Sequence, residues 1–201
     1  MIEIDSHPEC YEGMIPYLKS IKSVPGLSCE VGLRRGGGTH LIMKTLLEND
    51  DKRTHVAIDP YGTILYSDIA GVHRTDYTNQ MRSETLSLLY KYSFENDINF
   101  LFFNLEDSEF YSRFIDGVPV YEMEKSIESK FAFVHIDGQH DLKSVFNAAC
   151  YFKERIPLGG IIAFDNTDNY EHFSVDQLLR VAGFELLETL TPCARMIYRK
   201  M

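Results

Sequence analysis

The stretch FAFVHIDGQH (131–140) carries an almost unbroken apolar run straight into Asp137, Gly138 and His140. A second stretch, GGIIAFDN (159–166), ends the same way, on Asp165 and Asn166. A half-exposed strand alternates apolar and polar residues, whereas a strand covered on both faces is apolar throughout, so both stretches read as buried strands. GLSCEVG (26–32), THVAID (54–59) and INFLFFN (98–104) share the pattern, each closing on a polar or glycine residue. Helical spacing fills the intervals. Leu41, Ile42, Thr45 and Leu46 follow the first run, and Leu142, Val145, Phe146, Ala149 and Phe152 follow the fourth. The latter is the i, i+3, i+4, i+7 stripe of a helix lying on a sheet. Near-continuous apolar strands alternating with amphipathic helices predict a doubly wound, Rossmann-like α/β fold. A helix over 175–181 is broken by Gly183. Then FELLETL (184–190) and ARMIYRK (194–200), split by Thr191-Pro192-Cys193, predict a C-terminal antiparallel hairpin that brings the mixed sheet to seven strands.

A chain of 201 residues is large enough for one core, so a single domain over 1–201 is expected, with residues 1–25 as an N-terminal helical segment. The 61–96 segment is longer than a crossover helix needs. It predicts a helix near 79–94, a loop near Gly71 and an insertion that shapes an acceptor pocket. A net charge of −10 and a pI near 5.1 repel phosphate and exclude nucleic acid and anionic membrane as expected partners. No apolar run approaches the roughly 20 residues that span a bilayer. The start, MIEIDSHPEC, lacks the apolar centre of a secretory signal. Cys10, Cys29, Cys150 and Cys193 show no zinc spacing, and Cys29 and Cys150 read as small core residues. A reducing, cytoplasmic location is the default that follows. A homo-oligomer stays open. His7, His40, His55, His73, His135 and His172 are expected to be ordinary packing or surface residues.

CEVGLRRGGGTH (29–40) joins the first strand to the first helix. Its glycines allow close backbone approach to a ligand, and the helix start offers free N–H groups. The order is neither GxGxxG nor a P-loop, and an acid before the first glycine suits a positively charged ligand such as an amino-acid ammonium. The same residues also make a tight turn capped by Thr39. Asp59 ends the second strand roughly 20 residues further on, where a carboxylate can accept both hydrogen bonds of a ribose diol. It can equally start the turn at Pro60. Asp107 and Ser108, after the third strand, can reach an adenine edge or cap the next helix. Together they outline a nucleoside pocket at the carboxyl edge of one sheet.

This combination resembles the class I S-adenosylmethionine-dependent methyltransferases. More narrowly, it is similar to the small metal-dependent O-methyltransferases related to catechol and macrocin O-methyltransferases. The likeness is carried by Glu30-Val31-Gly32-Leu33-Arg34-Arg35-Gly36-Gly37, by His135-Ile136-Asp137-Gly138-Gln139-His140, and by Pro157-Leu158-Gly159-Gly160 leading to Asp165-Asn166. It runs from about residue 12 to the C-terminus. It implies that Glu30, Gly32, Gly36 and Gly37 hold the methionine end of S-adenosylmethionine, Asp59 the ribose, and Asp107 with Ser108 the adenine. Where relatives grip the methionine moiety with a serine, this chain has Gly38. The resemblance further implies Mg²⁺ on Asp137, Asp165 and Asn166, with His140 taking the proton from a hydroxyl of a small-molecule acceptor, sugar or phenol. Plainer roles exist for the same residues: Asp137 as a helix cap, His140 in a first turn, Asp165-Asn166 as a turn. A non-catalytic nucleoside-binding domain and a metal-independent methyltransferase are the alternative readings.

Overall fold

Every residue of Leu27–Val31 (β1), His55–Ile58 (β2), Phe131–Ile136 (β8) and Ile161–Phe164 (β9) is buried. That is the signature of central strands with helices on both faces. A computed structural model describes residues 11–62, 66–67, 73–74, 77–190 and 194–201. The strands are completed by Phe100–Phe103 (β5), Phe184–Leu190 (β10) and Arg195–Lys200 (β11), and the seven form one sheet in the order β10-β11-β9-β8-β1-β2-β5. β1, β2, β5, β8 and β9 run parallel, while β11 lies antiparallel between β9 and β10. The chain leaves β1 towards β2 and β5, then returns to the other side of β1 with β8. The strand order therefore reverses between β1 and β8, and in sheets of this kind a ligand crevice opens at that point, beyond the carboxyl ends.

Side chains alternate between the two faces along each strand. Cys29, Val31, Val134, Ile136, Ile162 and Phe164 point to one face, against Phe110 of Asp107–Arg113 (α4), Val145 and Phe152 of Leu142–Phe152 (α5), and Val175 and Leu179 of Phe173–Val181 (α6). Phe133, Ile161, Ala163 and Ile197 point to the other, against Leu18 of Ile15–Ser20 (α1) and Ile42 and Leu46 of Gly37–Glu48 (α2). Asn79–Asn96 (α3) closes the second face at its far end, packing Met81 and Leu89 with Leu33, Ala57 and Phe100. Among the described residues this gives six α-helices, three on each face.

The predicted strands stand within two residues of their expected bounds, and the predicted helix near 79–94 is α3. Two short ladders were not expected: Tyr66–Ser67 (β3) with His73–Arg74 (β4), and Val118–Tyr121 (β6) with Lys125–Glu128 (β7). Cys150 corrects an expectation. It is exposed, because the helical period turns Ala148, Ala149, Tyr151 and Phe152 inward and leaves position 150 outward. Thr39 is a second correction: it caps nothing, since Gly36, in the left-handed region at φ 78, precedes α2 and no side-chain cap is made there. Residues 1–10 of the N-terminal segment, with His7 and Cys10, lie outside the described residues. So do the loop at Gly71, the His73 side chain and the hairpin turn Thr191-Pro192-Cys193.

Candidate active site

The strand alternation gives the α1–α3 face an unusual content. Ser28 and Glu30 of β1, His55 of β2, His135 of β8, Asp165 just past β9 and Arg195 of β11 are all buried and all lie on it. Glu30 and His135 are direct neighbours in the β1–β8 register. A polar belt results. His55 Nδ1 lies 2.9 Å from Ser28 Oγ and its Nε2 3.1 Å from Thr39 Oγ1, while the Thr39 hydroxyl donates to Glu30 Oε2 at 2.6 Å. Glu30 Oε1 accepts from His135 Nδ1 at 2.8 Å, and His135 Nε2 stands 3.2 Å from Asp165 Oδ1. Both Asp165 oxygens face Arg195: Oδ1 accepts from Nε, and Oδ2 from Nη2 at 2.5 Å.

The two histidines of the belt titrate in opposite directions. Burial, reinforced by the charge on His135, pushes His55 down to about 3, so it is neutral. The Thr39 hydroxyl is spent on Glu30, so His55 Nε2 carries the proton and Nδ1 accepts from Ser28. Burial would lower His135 as well, but Asp165 and Glu30 outweigh it and raise the imidazole to about 10. His135 is an imidazolium with a carboxylate at each nitrogen. Burial would raise Asp165, but His135 and Arg195 hold it well below the ordinary carboxylate range.

Asp137 follows β8 at the switch point. It caps no helix: Asp141 is the N-cap of α5, accepting from the Lys143 and Ser144 amides at 2.9 and 3.1 Å. Asp137 Oδ2 instead accepts from the Tyr11 hydroxyl at 2.8 Å, and His140 Nε2 lies 3.8 Å from Asp137 Oδ1. Burial raises the Asp137 carboxyl, and the nearby Asp165 charge raises it further. Burial lowers His140 and keeps the imidazole neutral near pH 7, the form a proton acceptor needs.

The glycine loop is clamped from outside. Asp59 Oδ2 accepts from the Leu33 and Arg34 amides at 2.9 and 3.1 Å, and Oδ1 from the Tyr61 amide at 2.9 Å. The Tyr61 hydroxyl donates to the Arg34 carbonyl, with Thr85 of α3 donating to the same oxygen at 3.4 Å. Gly32, at φ 92, lies so close to β8 that a Cβ would stand 2.2 Å from the Asp137 carbonyl oxygen. Gly38 is equally constrained. A Cβ there would stand 1.9 Å from Glu30 Oε1, so no serine can occupy this position while Glu30 keeps its place. Gly36 and Gly37 lead into α2. Asp107 is the first residue of α4 and accepts from the Ser108 amide at 2.6 Å. Burial raises its carboxyl, and the Glu106 and Asp141 charges add to that.

The structure thus brings Glu30, Asp137 and Asp165 together around His135, with His140 at the rim, while Asp59 follows β2 directly and Asp107 opens α4, beyond β5. Sequence reasoning missed Arg195 and Tyr11 and the roles of Thr39 and His135. Arg195 alone left a signal: it shares a strand face with Ile197, which is core.

The oxygen set expected for Mg²⁺ does not fit. Asp165, the second carboxylate of that set, already gives both oxygens to the Arg195 guanidinium. Glu30, His135 and Asp137 do bring one donor atom each within 4.8 Å of one another. His135 is a nitrogen donor, however, and Mg²⁺ takes oxygen.

The sequence profile of a family described as "Methyltransferase domain" matches residues 29–167. Among solved structures, the calicheamicin methyltransferase CalS11 is similar at a TM-score of 0.66, with 14% identity over 95% of this chain and 78% of that one. An O-methyltransferase from Bacillus cereus, solved in complex with SAH, gives 0.58 at 12% identity over 99% and 84%. TomG from Streptomyces achromogenes, an O-methyltransferase solved with SAM, gives 0.57 at 9% identity over 94% and 79%. At such identities the likeness is one of fold. No curated protein matches the chain.

Proposed function

The chain belongs to this methyltransferase domain family, and on that premise we propose that it transfers a methyl group from S-adenosylmethionine to a hydroxyl of a small molecule, a sugar or a phenol. The observation that carries the reading is the neutral His140 beside Asp137 at the point where strand order reverses, opposite the clamped glycine loop. Asp59, Asp107 and Asp137, beyond the ends of β2, β5 and β8, add negative charge to that crevice, which favours a cationic ligand. Bound there, S-adenosylmethionine would supply an electrophilic methyl group on a sulfonium.

Glu30 and the loop 32–37 are assigned to the methionine end, Asp59 to the ribose, and Asp107 with Ser108 to the adenine. His140 accepts the proton of the acceptor hydroxyl as its oxygen forms the new C–O bond and the C–S bond breaks, leaving S-adenosylhomocysteine. The O-methyltransferases named above support a hydroxyl acceptor.

Calorimetric titration with S-adenosylhomocysteine tests the reading, and saturable binding is expected. His140→Ala should keep that binding and lose about 10²–10⁴-fold in turnover on whichever hydroxyl acceptor the wild type methylates. A wild type that does not bind the ligand, or a variant with undiminished turnover, would remove the cofactor site or the base respectively.

A further inference from the structure

Glu30, Asp137 and Asp165 converge on a volume walled by β1, β8 and β9, and three carboxylates that close repel one another unless a cation lies among them. In the related sites that Asp137, Asp165 and Asn166 resemble, a divalent ion answers that need. In this chain two side chains stand in its place. Arg195 is 0% exposed and grips Asp165 through a two-pronged contact, Nε to Oδ1 and Nη2 to Oδ2 at 2.5 Å. Its guanidinium also lies 5.6 Å from the centre of the Tyr11 ring, whose hydroxyl donates to Asp137. His135 sits between Glu30 and Asp165. We propose that Arg195 is the resident cation of this site: it takes the position of the divalent ion, so the protein binds no Mg²⁺ there and needs none for methyl transfer.

The geometry argues this independently of any titration. A carboxylate that accepts a fork from a buried guanidinium has lost the lone pairs nearest the cavity. A divalent ion would have to displace a fully buried guanidinium from the carboxylate it forks, and breaking a buried ion pair is strongly unfavourable. Arginine has a further consequence. A metal acidifies a bound hydroxyl, but a guanidinium only attracts it, so in this site the acceptor's proton falls to His140. Arg195 is a positioning and charge-balancing residue, reaching the chemistry through Asp165 and Tyr11.

The inference rests on the methyltransferase reading, but its test does not. Protein stripped with chelator is melted and titrated calorimetrically with MgCl₂ and with MnCl₂, without cofactor, as wild type, Arg195→Lys and Arg195→Met. Wild type and Arg195→Lys should show no saturable binding and no metal-dependent change in Tm. Arg195→Met should melt lower in chelator and recover about 5–10 °C at a hundredfold excess of metal over its Kd. That gain of a metal response is something a merely structural arginine would not produce. A wild type that binds Mg²⁺ with a matching rise in Tm overturns the proposal, as does a folded Arg195→Met that ignores both metals. If Arg195→Met does not fold in chelator, refolding with and without Mg²⁺ reads the same exchange: recovery only with metal supports it, and failure in both overturns it. Failure to bind S-adenosylhomocysteine would instead strike the function proposed above and leave the cation result standing.

Discussion

Gly38 shows how one missing side chain can fix a neighbour's position. Glu30 is 1% exposed and holds both Thr39 and His135, and the space its carboxylate occupies is the space a Cβ at position 38 would fill. Gly38→Ala should therefore destabilise by about 1–3 kcal/mol, the usual cost of overpacking a well-filled core. Because the clash is with a single side chain, shortening that side chain should relieve it. Glu30→Asp on its own will also lose stability, but the double variant should lose less than the two single losses added together. Urea denaturation of the four proteins measures this. Strict additivity would show that the helix, rather than Glu30, sets the limit at position 38.

At the scale of elements, the loop between β1 and α2 owes its shape to neighbours distant in sequence. The carboxylate of Asp59 draws in two loop amides and its own turn, and α3 leans Thr85 and Leu89 against Gly36. Asp59→Ala would leave three partly buried N–H groups unpaired. A loss of about 2–4 kcal/mol in stability is expected, with weaker S-adenosylhomocysteine binding, because the loop is no longer held open for its ligand. If affinity falls while stability is unchanged, Asp59 touches the ligand without supporting the loop, and the clamp is wrong. The elements themselves were legible in the sequence, since apolar runs and helical stripes report burial directly. The β6–β7 hairpin was not: Pro119 interrupts its first strand, and Ser126 and Lys125 leave the second almost wholly exposed, so no hydrophobic pattern marks it. Asp137 and Asp165 were visible because each ends an apolar run. Their partners were not. Which side chain faces Asp165 depends on β11 lying next to β9, and neighbour order in a sheet is not written in any local stretch. Cys150 was misread for a related reason, since apolar surroundings in sequence do not say which way a helix turns.

For the whole molecule, the belt across β2, β1, β8, β9 and β11 predicts a pH optimum for stability. An unfolded histidine titrates near 6.5. His135, raised to about 10 in the fold, contributes stability that is full below pH 6.5 and is lost as pH climbs towards 10. His55, held down to about 3, contributes stability that is full above pH 6.5 and is lost as pH falls towards 3. The two slopes meet, so Tm should peak near pH 6–7 and fall on both sides. His135→Gln should weaken the alkaline limb and His55→Gln the acid limb, which His172, held down to about 4 by burial, shares. A Tm that keeps rising from pH 7 to 9 in the wild type would contradict the charged state of His135.

The antiparallel strand β11, set between β9 and β10, also governs the order in which the protein can be made. Emerging from the ribosome, β10 has no place beside β9, because the strand that must separate them has not yet been synthesised. The sheet can zip from β5 to β9 as the chain lengthens, but it then presents an unpaired β9 edge and an Asp165 without its guanidinium. One late strand repairs both faults in a single step, docking β10 and delivering Arg195. Until then His135 is the only one of the two cationic side chains in place among Glu30, Asp137 and Asp165, so completion of the centre is tied to completion of the fold.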